Sequence, residues 1–179
     1  MAFIVVFALV MKKLLVVLML CLFSRPMMAA VVTCHVLGVL EGDVFTCLTK
    51  EQNIFKVRIH EIDAPELNQP YGMESRKHLQ TLIGDADVTL HNAKVNGRFL
   101  LADVMKGDVN ISYKMVEDGY AWVDRSDVVH LNELDDLERM AQRKNIGLWK
   151  GSYPIYPPLW RQDHKDDLKS SFYKEAHGR

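Results

Sequence analysis

The sequence predicts a mainly β protein of the α+β class, in which five short strands form a small closed barrel and three helices pack against it. Three observations support this prediction: strand-like apolar segments, glycine-containing turns between them, and three segments with helical spacing of apolar residues. The chain has 179 residues, of which 49% are hydrophobic and 25% are charged. This length suits one domain with extensions.

The strand segments pair naturally into hairpins. Glu41-Gly42-Asp43 supplies a turn between the first two segments, and Asn96-Gly97 supplies a turn between the last two. The five predicted strands are residues 36–40, 44–48, 52–59, 88–90 and 98–104.

Three helices are predicted from apolar spacing and from the glycines that follow each segment. They cover residues 71–83, 110–118 and 131–144. Five strands with interposed helices indicate the OB-fold, a five-stranded barrel common among oligonucleotide-binding proteins. We expect the acidic face of the third helix to be solvated; it consists of Glu133, Asp135, Asp136 and Glu138.

The N-terminus has the layout of a secretory signal peptide. Residues 14–23 form an unbroken apolar run, preceded by Lys12 and Lys13 and followed by Ala29-Ala30. A run of ten is too short for a bilayer core, which takes about 20 residues. We therefore predict a signal over residues 1–30, with Met11 as the true start. The alternative is an N-terminal membrane anchor that includes residues 3–10.

This prediction sets the boundaries of the mature protein and its location. Residues 31–150 would form the barrel domain, and residues 151–179 would form a Pro- and Trp-containing wrap followed by a polar tail. The protein would be exported, to the periplasm or the medium, without a stable membrane anchor after cleavage. Nothing in the sequence demands more than a monomer.

Export also bears on the cysteines and on the charge. Cys34 and Cys47 would remain in an oxidising compartment, which favours a disulfide over two buried thiols. Without the three basic residues of the signal, 19 basic residues stand against 23 acidic ones, a net charge of −4. That balance is not typical of nucleic-acid binders, so a polyanion would have to be bound by local positive charge.

The segment VRIHEIDAPE, residues 57–66, combines a strand with a carboxylate-rich turn. Arg58 lies on the open face of the strand, and Asp63 and Glu66 follow around Pro65. A helix-capping box is the simplest interpretation of Asp63 and Glu66. A helix could not continue, however, because Pro70 disfavours the helical conformation at the residue before it.

A metal site is the alternative interpretation. Asp43, in its glycine turn, could meet Asp63 in a barrel, and carboxylates are the hard oxygen ligands that Ca²⁺ prefers. Arg58 and Arg98 could then bind a phosphodiester, because a guanidinium matches phosphate oxygens in pairs and stays charged. Each arginine alone would be taken as a solvated surface residue.

Together these residues resemble the thermonuclease (micrococcal nuclease-like) family, from about residue 36 to residue 149. The matching motifs, in the family's order and spacing, are EGDVFTC, VRIHEIDAPELNQPYG, NGRFLLADV, VNISYKMVEDGYAWV and GLW. The closing PPLWR resembles an extension of some exported members. The resemblance implies an OB-fold barrel and Ca²⁺-dependent hydrolysis of DNA and RNA, preferably single-stranded or loosely paired, to products with a 3′-phosphate.

The resemblance also implies roles for individual residues. Asp43 and Asp63 would hold the calcium ion, with a further ligand from the backbone carbonyl of Ala64. Glu66 would orient or deprotonate the attacking water. The scissile phosphate, and the charge that develops on it, would be bound by Arg58 and Arg98.

Several positions depart from the family pattern. Val44 replaces a threonine beside the metal, and Asn96 stands where a substrate-side tyrosine is usual, in the run Lys94-Val95-Asn96. Arg125 stands where a second substrate-side aromatic is expected. These changes favour reduced efficiency or altered preference. Two other interpretations follow: a binding module on the same barrel that does not cleave, and an anchored structural protein.

Overall fold

The computed structural model describes residues 31–126, 131–151 and 154–165. The predicted signal peptide and most of the predicted polar tail lie outside these ranges. Within them, no helix combines the length and the apolar composition needed to cross a bilayer.

Eight strands are present in the described part of the chain. Five of them match the predicted segments and extend most of them at their ends. The strands are β1 (Val32–Val39), β2 (Val44–Thr49), β3 (Ile54–Ile59), β4 (Ile62–Asp63), β5 (Asp87–Asn96), β6 (Phe99–Lys106), β7 (Val109–Asn110) and β8 (Trp122–Val123).

The barrel is closed by a parallel pairing. The sheet order is β3-β2-β1-β5-β6-β7, and β3 also pairs with β6, in the register Arg58 opposite Leu101. The other neighbours are antiparallel. Strands β1, β2, β3, β5 and β6 therefore form the predicted five-stranded barrel, and the mainly β α+β fold is confirmed. The short β4–β8 ribbon lies outside this sheet.

Four helices accompany the barrel in the described residues. They are α1 (Gly72–Ile83), α2 (Ile111–Glu117), α3 (Leu131–Lys144) and α4 (Pro157–Asp163), and a 3₁₀ turn covers Gly147–Lys150. The first three match the predicted helices. Helix α4 adds a fourth within the predicted C-terminal wrap, where Pro157 stands at the start of the helix and so loses no intrahelical hydrogen bond.

The core lies inside the barrel and beneath α1 and α2. Alternate residues of the strands point inward, as at Val36 and Phe45, and α1 contributes Leu79 and Ile83. Cys34 and Cys47 are joined in a disulfide between β1 and β2, with their Cα atoms 5.6 Å apart. The disulfide that the sequence favoured is thus present.

The acidic face of α3 is not fully solvated, so that prediction was wrong at Glu138. Its side chain is buried, with one oxygen accepting a hydrogen bond from the Val123 backbone N–H at 2.9 Å. The other oxygen accepts one from Arg125 at 2.6 Å. The Glu138 carboxylate thereby satisfies a buried strand amide that points towards the helix.

Candidate active site

The turn between β1 and β2 carries Asp43 into the interior. The amides of Leu40 and Glu41 both donate to the Val44 carbonyl, at 2.8 and 3.0 Å, and the Asp43 carbonyl accepts from the Ile59 amide at 2.8 Å. These hydrogen bonds fix the turn against the end of β3. The Asp43 side chain is only 3% exposed, so its carboxylate faces the protein and not the solvent.

Arg58 lies on β3 directly beside this turn, because it is paired with Val44 across the β2–β3 ladder. Its Nη1 donates to Asp43 Oδ2 at 3.1 Å, and its Nη2 is 3.7 Å from Glu41 Oε2. The guanidinium carbon lies 4.8 Å from the centre of the Phe99 ring.

Two further cationic side chains lie near the Phe99 ring. Lys56 Nζ lies 5.2 Å from the ring centre, and the Arg98 guanidinium carbon lies 5.3 Å from it. The aromatic face attracts cations electrostatically. Three positive side chains therefore cluster at this ring, beside the carboxylates. They are the local positive charge by which a protein with an acidic overall balance could bind a polyanion.

Asp63 and Glu66 follow from the β4–β8 ribbon. Asp63 is paired with Trp122, and the chain then continues without a helix until Gly72, which excludes the capping-box interpretation. The loop is fixed at Glu66, whose amide donates to Gln69 Oε1 at 3.1 Å and whose carbonyl accepts from the Gln69 amide at 2.9 Å.

A residue from the C-terminal wrap completes the cluster. Arg161, on α4, donates from Nη2 to Asp63 Oδ2 at 2.6 Å and from Nη1 to Asp63 Oδ1 at 3.1 Å. The same Nη1 donates to Glu66 Oε1 at 2.8 Å. One guanidinium thus holds two of the three predicted carboxylates.

Comparison with known proteins agrees with this geometry. Residues 56–151 match the family described as staphylococcal nuclease homologue. The chain belongs to the staphylococcal nuclease family. Membership makes it a nuclease, an enzyme that hydrolyses phosphodiester bonds, with nucleic acid as its substrate.

Individual relatives cover most of the chain. An "uncharacterized endonuclease" of Haemophilus influenzae is 38% identical over 140 residues, 76% of this chain and 76% of that protein. One of the same description from Escherichia coli O157:H7 is 31% identical over 149 residues, 80% and 94% of the two chains. A "micrococcal nuclease" of Shigella flexneri is 28% identical over 147 residues, 74% and 82%.

In this member of the family, four of the six predicted site residues fall into two contacting groups. Asp43 contacts Arg58, and Arg161 bridges Asp63 and Glu66. A cavity of about 370 Å³ has Arg58, Asp63, Asn96 and Arg161 in its wall.

The other predicted positions lie close by. Ala64 is buried immediately after β4, and the methyl group of Ala64 is a near neighbour of Gly42 in the Asp43 turn. Arg98 lies in the turn immediately before β6, next to the Phe99 ring.

The charges of the cluster fit a bound cation. Burial, followed by the charges of neighbouring carboxylates including Asp63, raises the pKa of Asp43 to about 8 even though Arg58 opposes the shift. Burial and then Glu66 likewise raise the pKa of Glu41. A bound positive ion would reduce the repulsion between these carboxylates, and carboxylate oxygens suit Ca²⁺ or Mg²⁺.

As they stand, the described residues do not form a closed ligand cage. No group of three or more His, Cys, Asp or Glu side chains in residues 31–126, 131–151 and 154–165 is arranged to hold a metal ion. Ion pairs occupy the carboxylates instead, because Arg58 pairs with Asp43 while Arg161 pairs with Asp63 and Glu66.

Two site residues were not assigned from the sequence. Arg161 stands in the PPLWR motif, but its partner Asp63 is 98 residues away, and no local pattern reports such a contact. Phe99 follows Arg98 directly, and an aromatic residue next to a predicted phosphate-binding arginine could have been a signal.

Arg125, which replaces an expected aromatic, is held by α3. Besides Glu138, it donates to Asp135 at 2.9 Å. Its role in the described structure is to join β8 and α3.

Proposed function

We propose that the protein is an exported, Ca²⁺-dependent nuclease that hydrolyses both DNA and RNA, preferably single-stranded or loosely paired, to 3′-phosphate products. The observation that carries the proposal is the closeness of two groups: Arg58 contacts Asp43, and Asp63 and Glu66, which share Arg161, lie near enough for their charges to act on Asp43. Acidic oxygen donors beside a guanidinium are the combination that a metal-assisted attack on a phosphodiester needs.

Asp43, Asp63 and the Ala64 carbonyl are the groups that would hold Ca²⁺. Bound there, the ion would supply Lewis-acid polarisation of the phosphate. The fit rests on the donor set, because the Asp43 and Asp63 carboxylates are only 3% and 8% exposed and carboxylate oxygens suit Ca²⁺; the raised pKa of Asp43 agrees with a need for positive charge there.

Glu66 is the group proposed to orient and deprotonate the attacking water. Its carboxylate is 17% exposed, which leaves it within reach of solvent, and Gln69 fixes its backbone. Arg58 and Arg98 would hold the phosphate, and their grouping at the Phe99 ring restricts the positions their guanidinium groups occupy.

Export and a monomeric state complete the proposal. The signal-like residues 1–30 and the Cys34–Cys47 disulfide support export, because disulfides persist mainly in oxidising compartments. Sequencing the N-terminus of the protein recovered from periplasm or medium tests this part. A chain that still begins at residue 1 or residue 11 would contradict it.

The central experiment is cleavage of single-stranded DNA and of RNA, first with calcium and then with EGTA. We expect degradation in calcium only. Glu66→Gln should reduce the rate about 10²- to 10⁴-fold, the range for loss of a general base. Glu74→Gln, the same chemical change at an exposed position of α1, should leave the rate unchanged.

Two results would contradict parts of the proposal. Undiminished cleavage in EGTA would exclude calcium dependence, and undiminished cleavage by Glu66→Gln would remove Glu66 from the mechanism. Binding of oligonucleotide without cleavage at any calcium concentration would instead favour a binding module.

A further inference from the structure

The C-terminal segment around α4 is attached to the Glu66 loop by contacts that do not involve Arg161. Gln69 Nε2 donates to the Ile155 carbonyl at 2.6 Å, and Trp160 Nε1 donates to Asn68 Oδ1 at 3.4 Å. The Tyr156 ring meets the edge of Trp122, with ring centres 6.2 Å apart. The helix is therefore held beside the site independently of the arginine.

Arg161 uses this position to satisfy the carboxylates of the site. It contacts both oxygens of Asp63 and one oxygen of Glu66, at 2.6 to 3.1 Å. The two carboxylates are only 8% and 17% exposed, whereas the Arg161 side chain is 35% exposed and lies in the wall of the cavity. Arg161 is thus the most exposed of the three side chains, and it lines the same cavity as Asp63.

We propose that Arg161 is a residue of the active site that neutralises Asp63 and Glu66 and competes with the divalent cation for them. This inference rests on the proposed function, because it takes Asp63 as a ligand of Ca²⁺. A carboxylate whose two oxygens are paired with a guanidinium has little capacity left for a metal at 2.3–2.6 Å. Two cations at one carboxylate also repel each other.

Competition has a quantitative consequence. The cation binds the form in which Arg161 has left Asp63, so its apparent affinity is reduced by the fraction of molecules in that form. The fraction of molecules in which Arg161 has left Asp63 is small, because bidentate arginine–carboxylate pairs are among the stronger polar contacts. Removing the guanidinium should therefore tighten calcium binding, while the metal-free protein loses stability.

The experiment is calorimetric titration of Ca²⁺ into the purified protein and three variants. Arg161→Gln should bind calcium about tenfold more tightly than the wild type, the change expected from loss of a strong charged competitor. Arg161→Lys keeps the charge without the fork and should fall between them. Arg139→Gln is the control: it makes the same charge change at a side chain 54% exposed and paired only locally in the described structure, with Asp136, and should match the wild type.

Thermal unfolding supplies a second readout that does not depend on activity. Without metal, Arg161→Gln should unfold at a lower temperature than the wild type. Saturating calcium should raise its midpoint by more than it raises that of the wild type, because the ion then replaces the missing positive charge.

The possible results separate this inference from the proposed function. Unchanged or weaker calcium binding by folded Arg161→Gln, with a wild type that binds calcium and cleaves DNA, would overturn the competition alone. Should neither the wild type nor the variant bind calcium, both proposals fail. Tightening in Arg139→Gln equal to that in Arg161→Gln would reduce the effect to net charge and also overturn the inference.

Discussion

Gly42→Ala should weaken both the fold and the site, because Gly42 lies where the Asp43 turn packs on its neighbours. A Cβ atom there would lie 2.7 Å from the Ala64 Cβ and 2.8 Å from the Ser75 Cβ, and closer still to Ser75 Oγ. Carbon atoms prefer separations of about 3.5–4.0 Å. The turn must therefore move by most of an ångström, away from Ala64 and α1.

The cost of such overpacking is about 1–3 kcal/mol of unfolding free energy. Urea denaturation in EGTA measures it, and calcium titration of the same variant should show weaker binding because Asp43 moves with the turn. Gly38→Ala is the control in the same hairpin, since its Cβ would have only Thr46 Oγ1 near it, at 4.0 Å. That substitution should change stability by no more than about 0.5 kcal/mol.

A second variant tests whether the contact with Ser75 causes the loss. Adding Ser75→Ala to Gly42→Ala removes the closest atom but leaves both Cβ contacts, and it also removes the hydrogen bond that Ser75 Oγ donates to the Tyr120 carbonyl at 2.6 Å. Rescue should therefore be partial at best. Equal urea midpoints for Gly42→Ala and Gly38→Ala would refute the reasoning.

Three further predictions concern the charges, the aromatic ring and the disulfide. Burial raises the pKa of Asp43 to about 8 in the fold, against an ordinary 3.8, so the folded state holds this proton more tightly than the unfolded state. The free energy of unfolding without metal should therefore fall as pH rises from about 4 to 8, by at most about 1.4 kcal/mol per pH unit. Asp43→Asn should abolish that fall when it is measured by urea denaturation. Phe99→Leu keeps an apolar side chain but removes the aromatic face beside Arg58, and kcat/KM for DNA cleavage should fall about threefold to tenfold. Reducing the Cys34–Cys47 disulfide, which joins residues 13 apart, should lower the unfolding free energy by about 3 kcal/mol.

Each of these has a clear contrary result. Parallel pH profiles for Asp43→Asn and the wild type would mean that Asp43 is ionised in the metal-free fold. Unchanged kcat/KM in Phe99→Leu would show that Arg58 is positioned by Asp43 and Glu41 alone. An unaltered denaturation midpoint under reducing conditions would assign the stability of the β1–β2 hairpin to its core packing.

Much of the fold could be predicted because its signals are local. The turn at Gly42 and the helix ended before Gly84 each depend on a few neighbouring residues. Glu138 was predicted incorrectly for the opposite reason. Its spacing places it on the polar side of α3, and only the approach of the Val123 amide from another segment makes that position buried.

The candidate site divides in the same way. Asp43, Asp63 and Glu66 stand in short, recognisable motifs, and their assembly at one end of the barrel follows from the strand order. Arg161 could not be placed, because its position depends on how the segment after the 3₁₀ turn crosses the Glu66 loop. Side chains from α4 and that loop decide the crossing, and no periodicity in the sequence reports it.

The parallel pairing of β3 with β6 links the chemistry of this protein to the order of its folding. Arg58 is held between β2 on one side and β6 on the other, and β6 follows β3 only after β4, α1 and β5. Pairing strands so far apart in sequence is slow, because the entropy of closing the intervening chain is lost before the contacts form. A chain with only its first hairpin in place would have the turn that carries Asp43 but not the β6 side of Arg58, so the proposed phosphate-binding arrangement requires a closed barrel.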